Sequence, residues 1–208
     1  GRAPAEDAEV LANATAQGLV CLGKTHMSEL AFSGLGLNPV TATPACINDA
    51  AAVSGGSSSG AAASIACDLA AGAIGSDTGG SVRIPAAWND LVGLKTTAGR
   101  VSVQGVVPLC ATFDTVGPLS KTVEDAALLL AALEGRTRAD LTASSLRGKR
   151  LGILQTVAFD ELREAPALGF ETALAKVIEA GAMVEDIEIE AVSNAMPLSP
   201  ILFASEAY

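Results

Sequence analysis

The sequence predicts an α/β protein with a mixed, mostly parallel β-sheet core covered by α-helices. Segments of helical period alternate along the chain with short apolar runs of strand length, which gives a βαβ rhythm. Half of the 208 residues are hydrophobic and only 17% are charged, enough for a sizeable core. Twenty-one glycines and only 3% aromatics favour close helix-to-sheet contacts through small side chains.

Residues 5–16 place Ala8, Val10, Leu11 and Ala14 at helical spacing, and Gly18 stops that helix before a short strand-like run at 19–22. Residues 26–32 read as a second short helix. Residues 34–54, with Pro39, Pro44 and a Thr-rich middle, read as a loop. A glycine- and alanine-rich buried helix is expected over 59–73, followed by a short strand at 73–75. Pro85-Ala-Ala-Trp88 reads as a helical turn and 91–94 as a strand. The helix at 120–133 is well marked: Ser120 or Thr122 can cap it, and Glu124 and Asp125 suit its positive end. Ala126, Leu129, Leu130 and Leu133 make one apolar stripe. Residues 149–154 then read as a strand, 168–180 as a helix and 183–189 as an alternating strand. Residues 204–208 look like mid-helix without a cap, and the expectation is a fragment of a longer protein.

The charge balance narrows the function classes. Thirteen basic residues are scattered among 23 acidic ones for a net charge of −10, with no basic stripe, so no nucleic acid partner is expected. The longest stretch with few charges, residues 61–74, is broken by Asp68 and falls short of the roughly 20 apolar residues that cross a bilayer. No membrane association is expected. Gly1-Arg-Ala-Pro-Ala-Glu-Asp7 has no apolar leader, which makes the cytoplasm the expected compartment. Cys21, Cys46, Cys67 and Cys110 lie far apart with no Cys-x-x-Cys pair. They read as reduced, mostly buried thiols, with no metal and no cofactor expected.

Chemistry concentrates in two glycine-framed serines 24 residues apart, Ser57 in Ser54-Gly-Gly-Ser-Ser-Ser-Gly60 and Ser81 in Gly75-Ser-Asp-Thr-Gly-Gly-Ser-Val-Arg-Ile-Pro85. A serine hydroxyl needs a base within hydrogen-bond reach and donors aimed at the oxyanion that forms when it attacks a carbonyl. Thr78, Gly79, Gly80 and Ser81 offer consecutive backbone N–H groups for that oxyanion, and the two glycines let the backbone approach a bound carbonyl. The chain has a single histidine, His26, which reads as a capping or packing residue, so the base is to be sought in a lysine. Alone, the first loop would read as a linker or a helix N-cap, and it lacks the Gly-Lys-Ser/Thr ending of a phosphate-binding loop. Asp77 and Arg83 flank the second loop and read as a structural pair that braces it; Asp114 reads as a turn former.

These motifs together resemble the amidase signature family. The resemblance rests on Gly55-Gly-Ser-Ser-Ser-Gly60 followed by Gly75-Ser-Asp-Thr-Gly-Gly-Ser-Val-Arg-Ile-Pro-Ala86. It extends to Gly23-Lys-Thr-His-Met-Ser-Glu-Leu-Ala-Phe-Ser33, Val92-Gly-Leu-Lys-Thr96, Phe113-Asp-Thr-Val-Gly-Pro118 and Val123-Glu-Asp-Ala-Ala127, in the family's order. The resemblance implies that residues 1–208 are part of a single amidase signature domain. Residues 1–133 would form its motif-bearing core and 134–208 the start of the substrate-side, C-terminal part.

The resemblance also implies a Ser–Ser–Lys triad: Ser81 as the acylated nucleophile and Ser57 as the bridging serine, preceded by a cis peptide bond from Gly56. The family's lysine lies roughly 70–80 residues before the bridging serine, which places it upstream of Gly1 and makes the isolated chain inactive. Lys24 and Lys95 read as surface or structural residues. Two departures from the family's pattern, Trp88-Asn-Asp90 for Phe-Cys-Gly and Lys95-Thr-Thr97 without a proline, bear on substrate shape. The implied function is hydrolysis of a small carboxamide through an acyl-enzyme, and a homodimer is compatible with it. The alternatives are the glutaminase component of a tRNA-dependent amidotransferase and a non-catalytic binding module of the same fold.

Overall fold

A computed structural model describes residues 5–207. Contacts divide the chain into two compact units, one running through Ala139 and including Glu206, the other from Asp140 to Ser205.

In the first unit, helix α1 (Glu9–Ala16) turns its buried Val10 and Ala14 inward, and Gly18 follows it at φ +91°. The expected strand at 19–22 is absent and those residues are exposed, since no strand among the described residues offers them a ladder. The expected helix at 26–32 contracts to a single 3₁₀ turn, Glu29–Ala31, in which Leu30 has a positive φ. The region expected to be all loop holds a hairpin, β1 (Ala45–Cys46) with β2 (Asp49–Val53), whose small Ala-rich strands carry no alternating pattern to read. Helix α2 (Ser59–Ala66) is shorter than expected and leads to β3 (Ala73–Asp77). Next come α3 (Arg83–Trp88), β4 (Val92–Gly93), β5 (Thr115–Ser120) and α4 (Val123–Glu134).

The three-stranded sheet has the order β3-β5-β4, with β5 antiparallel to both neighbours. β3 and β4 therefore run in the same direction on either side of β5, with α3 between them in the chain. That arrangement is why the sequence reads as a parallel βαβ unit although its hydrogen bonds are antiparallel. The α/β class with covering helices stands, with antiparallel pairing throughout this sheet and parallel pairing in the second unit. Strand β5 is not announced by the sequence, because Gly117 and Pro118 argue against a central strand. It accommodates both: Pro118, which has no N–H to donate, accepts from the Leu94 N–H at 3.1 Å.

Every residue of β5 is buried, and the strand serves two apolar clusters. Val116 packs with Val10, Ala14, Val101 and Leu133 beside α1 and α4, whereas Leu119 packs with Ala61, Ala62, Val82 and Ala86 of α2 and the α3 region. Three positions separate Val116 from Leu119, so they point to opposite faces of the sheet. Fully buried apolar side chains such as Leu119, Leu133 and Ile65 each contribute roughly 1.5–3 kcal/mol. Helix α4 follows its sequence signals: the Thr122 hydroxyl caps it by accepting from the Asp125 N–H at 3.0 Å, and Gly135 ends it in the left-handed region.

The second unit pairs β6 (Arg150–Leu154) in parallel with β7 (Met183–Ile187) across helix α5 (Glu164–Glu179). Helices α6 (Glu190–Ala195) and α7 (Ser199–Glu206) follow. All four cysteines are free, but Cys21 and Cys67 are exposed and only Cys110 is buried, so the expectation of mostly buried thiols fails. Among the described residues no helix is long and apolar enough to cross a membrane, and no cluster of metal-ligating side chains occurs.

Candidate active site

The second serine loop grows directly out of strand β3. Asp77, its last residue, is fully buried, and the chain from Thr78 to Arg83 folds back around its carboxylate. Oδ1 accepts the Gly80 N–H at 2.8 Å, and Oδ2 accepts the amides of Val82 at 3.2 Å and Arg83 at 3.4 Å. The Arg83 guanidinium donates to both oxygens, Nε to Oδ2 at 3.0 Å and Nη2 to Oδ1 at 2.9 Å. Burial alone would push the Asp77 carboxyl up. The Arg83 hydrogen bond and charge, with the Val82 and Gly80 amides, outweigh it and hold the pKa below the usual range. The expected brace is thus a charge at the centre of the loop, with Ser81 on its rim and 8% exposed.

Asp77 also takes one of the four expected oxyanion donors. The Gly80 amide is engaged inside the loop, while among the described residues no hydrogen bond occupies the amides of Thr78, Gly79 and Ser81. Asp114, read from sequence as a turn former, has a second role. It accepts the Thr78 hydroxyl and the amides of Leu109 at 2.8 Å and Cys110 at 3.0 Å, which anchors the start of the nucleophile loop.

The first serine loop is assembled differently. Its Gly56–Ser57 peptide bond is cis, as the family resemblance implies. The Ser57 carbonyl accepts the amides of Ser28 at 3.0 Å and Ser59 at 2.8 Å, the Gly56 N–H donates to Gly34, and the Gly60 N–H donates to His26, both at 2.8 Å. Residues 26–36 therefore lie against the loop's backbone. A Cβ on Gly56 would sit 2.5 Å from the Gly36 nitrogen and 2.7 Å from the Ser28 Oγ, so this position takes only glycine. His26 itself is exposed, with Nδ1 3.2 Å from the Thr41 hydroxyl, and contributes to the loop through its carbonyl.

The two loops meet. The Ser58 N–H donates to the Ser81 carbonyl at 3.2 Å, and the Ser58 hydroxyl donates to the Ser76 carbonyl at 3.3 Å. Ser57 is fully buried, and its Oγ has no hydrogen-bond partner among the described residues. The chain's lysines are engaged elsewhere or exposed: Lys95 donates to the Thr96 carbonyl at 2.9 Å, Lys121 pairs with Asp68, and Lys24, Lys149 and Lys176 are exposed. A cleft of about 180 Å³ opens against Ser58, Ser76 and Thr25.

Sequence reasoning missed Asn89. It is 2% exposed, donates to the carbonyls of Ser54 at 2.7 Å and Pro85 at 2.8 Å, and accepts the Ile47 N–H at 2.9 Å. The one signal in the sequence is the unusual Trp88-Asn-Asp90 string, which marks the position without its role.

Fold and site together define an α/β protein with two serines on adjoining glycine-rich loops. The Amidase family profile matches residues 1–208, and the chain belongs to that family. It is 35% identical to the glutamyl-tRNA(Gln) amidotransferase A subunit of Cereibacter sphaeroides, covering 100% of this chain and 45% of the relative. It is 41% identical to a 2-amino-5-chloromuconic acid deaminase from Comamonas testosteroni, covering 79% of this chain and 37% of the relative. A peptide amidase solved with the competitive inhibitor chymostatin superposes at a TM-score of 0.84 with 35% identity, covering 97% of this chain and 46% of that one. The chain spans somewhat less than half the length of these relatives.

Proposed function

We propose that this chain carries the nucleophile and the proton relay of an amidase that cleaves a carboxamide C–N bond through an acyl-enzyme on Ser81. Ser57 is the bridging serine, and the base is a lysine outside residues 1–208. The observation that carries the reading is the Ser57 hydroxyl, fully buried and without a hydrogen-bond partner among the described residues. Leaving such a group unpaired costs about 1–3 kcal/mol, which a relay between a second hydroxyl and an amine would recover. Relatives named a deaminase, a peptide amidase and an amidotransferase component support a reaction at a carbon–nitrogen bond.

In this mechanism Ser81 Oγ attacks the amide carbonyl while its proton passes to Ser57 Oγ and the proton of Ser57 passes to the neutral lysine. The tetrahedral oxyanion faces backbone amides of the nucleophile loop, with Thr78, Gly79 and Ser81 the donors left open by Asp77. The relay then returns a proton to the departing nitrogen, the C–N bond breaks, and ammonia or an amine leaves. Water, deprotonated along the same path, hydrolyses the ester and restores Ser81.

The longer protein containing this chain should release ammonia from small carboxamides, and Ser81→Ala should lower that rate by about 10⁴-fold or more. Unchanged hydrolysis in Ser81→Ala overturns the reading. A second reading, the glutaminase component of an amidotransferase, is favoured by the relative of that name that matches the whole chain. It predicts a stable heteromer and a preference for glutamine; free turnover of simple amides by the protein alone counts against it.

A further inference from the structure

We infer that Asn89 is a positioning residue, which sets the bridging serine against the nucleophile by tying the backbones of both serine loops to one amide group. The inference rests on the reading of Ser57 and Ser81 above. Ser54, whose carbonyl receives one Nδ2 hydrogen at 2.7 Å, lies three residues before Ser57. Pro85, whose carbonyl receives the other at 2.8 Å, lies four residues after Ser81, in α3. The carboxamide oxygen takes the Ile47 N–H at 2.9 Å, so its orientation is fixed by two acceptors on one side and a donor on the other. At 2% exposure, solvent cannot replace these bonds.

The packing around Asn89 reinforces the same link. Gly55, at φ +75°, leaves only 3.1 Å between a would-be Cβ and both the Pro85 Cα and the Trp88 ring, so the first loop rests on α3 without an intervening side chain. On the far side the Cys46 thiol donates to the Trp88 carbonyl at 3.0 Å. Among the described residues, the direct backbone link between the loops is the Ser58 N–H to Ser81 carbonyl bond at 3.2 Å. Two attachment points, one on each flank of Ser57, fix its hydroxyl relative to Ser81. Loss of the Asn89 point leaves the Ser58 bond as the loop's remaining backbone tie to the Ser81 side, while its other bonds run to residues 26–36 and not to the nucleophile loop.

A displacement of about 1 Å between relay and nucleophile lowers turnover by about 10²-fold without altering the substrate's contacts. A double-mutant cycle in the full-length protein reads this out. It combines Asn89→Ala with Ser57→Ala and uses an activated ester so that residual rates stay measurable. With Ser57 present, Asn89→Ala should lower kcat by about 10²-fold with KM within about twofold; with Ser57→Ala it should change kcat by less than about twofold. An equal loss in both backgrounds, or a loss confined to KM, overturns the proposal. If Asn89→Ala does not fold, Asn89→Asp keeps the acceptor for Ile47 and carries the same cycle. Failure of both variants to fold assigns Asn89 to stability alone and overturns the proposal. If Ser57→Ala and Ser81→Ala leave hydrolysis intact, the reading of the site fails. If they abolish it while the Asn89 losses are additive, only the role of Asn89 fails.

Discussion

The loop carrying Ser81 closes largely on itself, with Asp114 and Ser58 its distant contacts, whereas the loop carrying Ser57 is held mainly by residues distant in the chain. Around Ser81, Asp77 gathers the amides of Gly80, Val82 and Arg83 and the Arg83 guanidinium, all within seven residues. Around Ser57, the partners are Ser28, Gly34 and His26 on one side and Asn89 on the other. A nucleophile must present a fixed oxygen to whatever carbonyl arrives, and a local cage built on a buried charge does that. A relay must touch both the nucleophile and a base, so its position is set by the elements that bring those groups together.

The largest effect on this contrast should come from removing the charge at the centre of the self-contained loop. Asp77→Ala leaves the Gly80 and Val82 amides unpaired and should destabilise the fold by about 2–4 kcal/mol, read from denaturant unfolding, with loss of turnover. Acid sharpens the same test. The Asp77 carboxyl is held below its ordinary range in the fold, so its stabilisation is complete above the unfolded value of about 4 and disappears as pH falls through the lower folded value. The gap between the native chain and Asp77→Ala should narrow below about pH 4; a gap constant with pH would show that the carboxylate is not the source of stability.

A smaller loss is expected on the other side of the comparison. Gly56→Ala forces a methyl group against the Gly36 backbone, which should destabilise by about 1–3 kcal/mol and displace residues 26–36 with the loop. Unchanged thermal unfolding would mean that these backbones do not approach so closely.

The same contrast explains what is legible in the sequence. The nucleophile loop can be read because its interactions are local: Asp77, the glycines, Ser81 and Arg83 stand in one short string, and their pairing follows from spacing. Helix α4 is readable for the same reason, with cap, acidic first turn and stripe in consecutive residues. The role of Asn89 cannot be read, since its partners Ile47 and Ser54 lie 42 and 35 residues away. Strand β5 is hidden by Gly117 and Pro118, whose usual meaning is overridden by burial on both faces. The antiparallel pairing is hidden because β5 enters from later in the chain to separate two strands that run in the same direction.

Reaction of the full-length protein with a serine-directed fluorophosphonate, followed by peptide mass mapping, tests the division of labour most directly. The account predicts an adduct on Ser81, formed at a rate that falls by about 10²-fold or more in Ser57→Ala because the proton path to the base is cut. An adduct on Ser57, or equal labelling of Ser81 with and without the Ser57 hydroxyl, would contradict it.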